Sequence, residues 1–316
     1  MELGCSVVPP LAPHPHTHTV IFLHGRGDTS QNMADALLRW TRDSRGRTLI
    51  DEFPSVRWVF PQAEPGLVES SATGETWPQW FDIWNILDMT DREELQALGL
   101  KESVESVRRI VRREARAVGG FDRVVLAGIS QGGATAAHVL LHLGEEEEGD
   151  AVHEKSAIEE EEKGREKEKE KEKETEEETR PPRLCGLMGF SAWLPFPGGT
   201  LDETREILGL GEFLDRKSDE LVRNTPVFLG HCADDPLVFV EYGKQLRDGL
   251  KGFGMDVKWH EYADGGHWFN APFGMDDAVE FLEAQGIPIV LGPRFSDLSP
   301  TLDTRPCEGL QLHKYP

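Results

Sequence analysis

Apolar residues fall alternately into short unbroken runs and longer stretches with helical spacing. Thr19–Leu23 (TVIFL), Val56–Phe60 (VRWVF, stopped by Pro61), Arg123–Ala127 (RVVLA), Leu184–Phe190, Pro226–Gly230 and Asp256–Glu261 have the length and character of strands. Between them, Gln31–Arg42 places Met33, Leu37 and Trp40 on one helical face. Lys101–Val118 likewise repeats Val104, Val107, Val111 and Ala115 among arginines. Gln131–Leu143, Val240–Leu250 and Asp276–Ala284 complete the expected helices. Strands separated by helices predict βαβ units, and strands apolar on both faces predict a mostly parallel central sheet flanked by helices, an α/β architecture. No internal repeat is visible, and one domain over residues 19–286 accounts for the pattern. Residues 1–18 read as an N-terminal lead, and residues 287–316, with five prolines, as an extended tail.

One segment breaks the pattern. Residues 145–180 contain EEEEKGREKEKEKEKETEEETR, which has no apolar face to bury, and read as a disordered or solvated-helix insertion. It falls between a helix and a strand, where a surface loop lengthens at small entropic cost. Its 18 acidic and 8 basic side chains supply −10 of the formal net charge of −23 carried by 316 residues. The remainder is an ordinary acidic chain without a basic stripe, which excludes nucleic acid as a partner.

Four cysteines, Cys5, Cys185, Cys232 and Cys307, lie far apart without a CxxC pair. A disulfide framework and a zinc site are therefore not expected, and a reducing setting is. The N-terminus has neither a basic region nor an apolar core of a secretory signal, and no run reaches the roughly 20 apolar residues of a transmembrane segment. A cytoplasmic location follows as the expectation.

The chemistry concentrates at Gly128-Ile129-Ser130-Gln131-Gly132, a G-x-S-x-G placed between an expected strand and an expected helix. Such a turn pushes the serine out at the C-terminal edge of the sheet, near the positive end of the helix. A serine hydroxyl is a weak nucleophile near neutral pH and needs a base, itself oriented by an acid, in the chain order Ser, Asp or Glu, His. His267, in the loop Asp264-Gly265-Gly266-His267, is the best-placed base among eleven histidines. His14, His16 and His18 precede the serine in the lead. His138 and His142 have the i,i+4 spacing of metal ligands but no third ligand, so they read as ordinary helix histidines. For the acid, the loop after the strand at 226–230 offers adjacent Asp234 and Asp235, with Asp264 a distant third. Pattern favours Asp235 modestly, because Pro236 holds it extended. One oxyanion N–H is expected from Gln131, which follows the serine.

Five segments in order carry a resemblance: Thr19–Ala34 (TVIFLHGRGDTSQNMA), Trp80-Phe81-Asp82-Ile83, Gly128–Gly133 (GISQGG), Asp235-Pro236-Leu237-Val238 and Gly266-His267. The chain resembles the acyl-protein thioesterases of the phospholipase/carboxylesterase family from about residue 19 to residue 285. The resemblance implies an α/β-hydrolase fold in a single domain carrying the charged insertion. It implies Ser130 as nucleophile, Asp235 as acid and His267 as base, with the backbone N–H of Arg26 as the second oxyanion donor beside Gln131. Trp80, Leu237 and Trp268 become candidate substrate contacts, although core packing explains Trp77, Trp80 and Trp84 equally well. His24 reads as a loop-packing residue.

Two departures from relatives stand out. Arg26 replaces a commonly apolar residue, where it would attract an anionic group or extend its head to solvent. Trp268-Phe269 follow the base where relatives commonly carry a small polar residue, which greases the mouth of the site. The implied activity is a serine hydrolase without cofactor or metal, cleaving acyl thioesters or esters through an acyl-enzyme. An acylated protein is the favoured substrate and a small acyl ester the alternative, with transient contact with a membrane surface as a further expectation; the sequence is silent on oligomeric state. A competing reading is a non-catalytic interaction protein that displays the insertion.

Overall fold

The structure, a computed structural model, describes residues 3–144, 181–210 and 214–290. The insertion 145–180 and the tail from residue 291 lie outside the described residues. The strands are β1 (Cys5–Val8), β2 (His18–Leu23), β3 (Val56–Pro61), β4 (Pro65–Leu67), β5 (Thr76–Pro78), β6 (Val124–Ile129), β7 (Gly186–Phe190), β8 (Val227–Cys232) and β9 (Val257–Tyr262). Seven of them form one sheet in the order β1-β3-β2-β6-β7-β8-β9, parallel throughout except for β1 against β3. The other two, β4 and β5, pair antiparallel as a small separate ribbon.

Alternation along each strand sends neighbouring side chains to opposite sides of the sheet. Ile21, Leu23, Leu126, Leu187 and Leu229 join one core with Leu100, Val104, Val107 and Val111 of α3 (Gln96–Val118) and Val139 and Leu140 of α4 (Gln131–Leu141). Val20, Phe22, Trp58, Phe60, Val125 and Phe228 join a second core with Met33 and Leu37, together with Met275 and Phe281 of the helix Phe273–Ala284. Each fully buried side chain of this kind contributes ~1.5–3 kcal/mol relative to exposure. This two-sided burial is why the strands read as unbroken apolar runs.

Several elements differ from the sequence expectation. The lead contains β1, which closes the sheet edge by pairing Cys5–Val8 with Pro61–Trp58. The helix expected at 31–42 is α1 (Ser30–Asp35) followed by a π-helical turn over Ala36–Trp40, with α2 (Leu49–Glu52) beyond it. The β4–β5 ribbon and the helices α5 (Leu201–Leu208) and α6 (Arg216–Asn224) were not anticipated; α7 (Val240–Gly252) and α8 (Phe273–Ala284) were. Both α5 and α6 begin with a capping box, Thr200 with Glu203 and Asp215 with Ser218. Cys185 and Cys232 are buried free thiols. Among the described residues no helix is long and apolar enough to cross a membrane.

Candidate active site

The parallel strands all end at one edge of the sheet, and the loops leaving β2, β6, β8 and β9 carry the candidate residues. Ser130 sits between β6 and α4 with φ +55° and ψ −128°, a left-handed conformation that costs a non-glycine residue about 1–3 kcal/mol. The surroundings hold it there. Its N–H donates to the Phe190 carbonyl at 2.8 Å. A Cβ on Gly132 would collide with the Leu23 and His24 carbonyl oxygens, and one on Gly128 with the backbone of Gly132 and Gly133. Small residues therefore let the first turn of α4 press against β2 and β6, leaving the Ser130 side chain partly exposed at the helix N-terminus.

Asp235 lies in the loop after β8 and is buried. Its Oδ1 accepts from the N–H groups of Leu237 at 2.9 Å and Val238 at 3.0 Å. Its Oδ2 accepts from His267 Nδ1 at 2.8 Å, with His231 Nε2 at 3.5 Å. Burial pushes the Asp235 carboxyl toward the neutral form, but the hydrogen bonds from His231 and His267, the His267 charge and the Leu237 N–H outweigh it. They hold the group well below the usual carboxylate range. Because Nδ1 of His267 donates to the carboxylate, its Nε2 is the nitrogen left to exchange a proton. Asp234 does something else: its Oδ1 accepts the Gly266 N–H at 2.8 Å and so grips the backbone of the His267 loop. Asp264 contributes its carbonyl, which accepts from Asn270 Nδ2 at 2.9 Å. Among the three aspartates weighed from the sequence, Asp235 is the one bonded to the imidazole.

The loop after β2 carries His24 and Arg26. His24 Nδ1 donates to the Gly25 carbonyl at 2.7 Å, while Nε2 accepts the Ala63 N–H at 3.1 Å. Burial lowers its pKa, and both nitrogens serve loop packing. Arg26 neither projects to solvent nor offers a free charge, so both readings of its side chain need correction. Its guanidinium is paired with Asp82 at 3.0 Å and lies over the Trp77 ring, 5.4 Å from the centroid. Gln131 is fully buried at the start of α4, and its amide binds the backbone of Trp80 and Phe81.

Of the candidate substrate contacts, Trp80 is only 2% exposed, with its indole N–H on the His24 carbonyl at 2.8 Å. It is a core residue beneath the β2 loop, and the substrate-contact reading is corrected on that ground. Leu237 at 37% and Trp268 at 40% exposure stand open beside Asp235 and His267, and Trp77 of β5 is 42% exposed. Trp84 lies under the Arg92 guanidinium, 4.3 Å from the ring centroid. His138 in α4 and His142 at its C-terminal cap are buried, bonded to the carbonyls of Pro195 and His138 respectively at 2.7 Å. Among the described residues no group of three or more His, Cys, Asp or Glu could hold a metal ion. Sequence reasoning missed His231, Asp234 as a loop anchor, and the whole Gln79–Ile83 strip as a partner of Arg26. The Trp80–Ile83 motif was the available signal.

Comparison with known proteins shows the family to which the chain belongs. A family model described as Phospholipase/Carboxylesterase matches residues 5–149. A Gibberella zeae protein named Acyl-protein thioesterase 1 is 31% identical over 85% of this chain and 91% of its own length. A Neurospora crassa protein of the same name is 28% identical over 87% of this chain and 89% of its own length. The crystal structure of Zea mays acyl-protein thioesterase 2 superposes with a TM-score of 0.59 at 21% identity, covering 89% of this chain and 98% of that one. That last likeness shows the fold, while the Gibberella zeae relative shows the family. With a parallel sheet, a strained serine after its fourth-placed strand and an aspartate-bound histidine on the same edge, the chain belongs to the phospholipase/carboxylesterase family of α/β-hydrolases that includes the acyl-protein thioesterases.

Proposed function

We propose that the chain is a serine hydrolase that removes acyl groups from proteins by cleaving their thioesters. The observation that carries this reading is the 2.8 Å bond between His267 Nδ1 and buried Asp235, on the sheet edge where Ser130 is held at φ +55°. His267 Nε2 takes the Ser130 hydroxyl proton as Oγ bonds to the acyl carbonyl carbon, and the carbonyl oxygen becomes an oxyanion. The backbone N–H groups of Arg26 and Gln131 stabilise that charge; one such donor is worth about 3–4 kcal/mol in the transition state. The C–S bond then breaks, His267 returns the proton to the leaving thiolate, and an ester remains on Ser130. A water molecule, deprotonated by His267, attacks this ester, releases the carboxylic acid and restores the serine. Asp235 keeps its negative charge throughout and steadies the imidazolium.

The protein substrate rests on the names of the relatives and on the apolar side chains of Leu237 and Trp268 beside Asp235 and His267. A panel pairing S-acyl peptides with p-nitrophenyl esters, each with short and long acyl chains, tests it through kcat/KM. Higher kcat/KM for long-chain thioester peptides is the expected result. A strong preference for short oxyesters replaces the thioesterase by a small-ester carboxylesterase.

A further inference from the structure

The two N–H groups assigned to the oxyanion sit on different elements, Arg26 in the loop after β2 and Gln131 in the first turn of α4. The packing of Gly132 on the Leu23 and His24 carbonyls brings the two elements together, but Arg26 is flanked by two glycines, so its own backbone needs further support. The side chains of both donor residues reach the same segment, Gln79–Ile83, through both its side chains and its backbone. Arg26 donates from Nε to Gln79 Oε1 at 2.8 Å, from Nη2 to Asp82 Oδ1 at 3.0 Å and from Nη1 to the Ile83 carbonyl at 3.3 Å. Gln131 accepts the Trp80 N–H on Oε1 at 2.8 Å and donates from Nε2 to the Phe81 carbonyl at 2.6 Å. Both donor residues therefore hold Gln79–Ile83 through five hydrogen bonds.

The strip is anchored independently. Gln79 Nε2 donates to the Leu67 carbonyl at 2.8 Å, Asp82 Oδ2 accepts the Glu69 N–H at 3.1 Å, and Ser103 Oγ donates to the Trp80 carbonyl at 2.6 Å. The Gly27 N–H donates to the Pro78 carbonyl at 2.7 Å, which ties the Arg26 loop down from its other side. Arg26 and Asp82 side chains are largely shielded, so this charged pair is stronger than a surface ion pair.

We infer that Gln79–Ile83 is a brace that sets the spacing and aim of the oxyanion donors, with the side chains of Arg26, Gln79, Asp82 and Gln131 as positioning residues. The inference rests on the hydrolase reading above. An oxyanion hole works only when its donors lie about 2.7–3.1 Å from the developing charge, and a misplacement of about 1 Å costs on the order of a hundredfold in rate. Arg26 therefore acts on the reaction twice: its backbone donates, and its guanidinium keeps that backbone in place. Asp82 already neutralises the guanidinium, so recruiting an anionic substrate group there would require breaking the brace.

The test compares full-length wild type with Arg26→Met, Asp82→Ala and Asp82→Asn on a soluble short-chain ester, and measures inhibition by a trifluoromethyl ketone. That inhibitor forms a serine hemiketal whose oxyanion occupies the same hole. Arg26→Met and Asp82→Ala are expected to lower kcat about tenfold or more with KM within about twofold. Their ketone inhibition constants should rise by the factor by which kcat/KM falls. The combined Arg26→Met/Asp82→Ala variant should be no slower than the slower single variant. Asp82→Asn keeps one acceptor for Arg26 and the side-chain volume, so it should recover part of the loss; it keeps the test readable where another variant does not fold. Folded variants with unchanged kcat and unchanged ketone affinity overturn the brace alone. Wild type that hydrolyses no ester and binds no ketone overturns the hydrolase reading, and the brace with it.

Discussion

The Asp235 carboxylate is buried beside Pro236 and surrounded by the N–H groups of Leu237, Val238 and His267, with His231 further off. An ionised group in that position aligns the imidazole; a neutral amide would present the wrong partner to Nδ1. Asp235→Asn is expected to lower kcat by about a thousandfold or more while the protein stays folded. Steady-state kinetics alongside a melting curve check this. Because the folded carboxyl sits below its unfolded value, its stabilisation is present above the unfolded carboxylate range and is lost as pH falls toward the folded value. Asp234 is a positioning residue, since its contact is with the Gly266 N–H. Asp234→Ala should reduce kcat several-fold, and Asp234→Asn, which retains an acceptor oxygen, should restore most of it. Equal losses in both variants would assign the effect to charge and not to the loop anchor. From sequence, the adjacent pair could be ranked only modestly; the hydrogen bonds show that the two side chains diverge to different partners.

Elements legible in the sequence were those whose burial is periodic. β2, β3 and β6 to β8 stand out because both faces of each strand enter a core, and α3 because its apolar residues recur every three or four positions. β1 is four residues followed by Pro9-Pro10, and β4 and β5 have three residues each with Pro65, Gly66 and Pro78 among them, so no propensity marks them as strands. The Ser130 turn between β6 and α4, the elbow of the fold, was legible because its glycines Gly128 and Gly132 are a steric requirement. The destination of the Arg26 side chain was not, because its partners lie 53 to 57 residues away on a segment without regular patterning. Gly132→Ala tests the elbow at this scale. The new methyl meets the carbonyl oxygens of Leu23 and His24, neither of which is a flexible side chain. A stability loss of at least about 2 kcal/mol by denaturant titration is expected, and a loss near zero would mean that α4 can withdraw from β2 without cost.

Across the whole molecule, charge and fold separate. The insertion 145–180 carries −10 of the −23, and none of the described candidate residues belongs to it. Removing it should bring the formal charge to −13 and leave ester turnover within about twofold, measured as kcat/KM. The pH response of stability has another origin. His138 in α4 and His142 at its C-terminal cap are buried, and burial, the largest cause, lowers their pKa values to about 4 and about 3; neighbouring charges lower His142 further. An unfolded imidazole titrates near 6.5, so between that value and about 4 the unfolded chain binds more protons than the folded one. Stability should therefore fall as pH drops through this window. His142→Gln should make the loss between about pH 7 and pH 5 shallower by about 2 kcal/mol, and a parallel decline in variant and wild type would remove His142 as a cause. The most direct measurement of the central claim is reaction of wild type and Ser130→Ala with a fluorophosphonate, with the adduct mapped by peptide mass spectrometry. The adduct should form on the peptide containing Ser130 in wild type and be absent from the variant. No adduct in wild type, or equal labelling of both proteins, would contradict it.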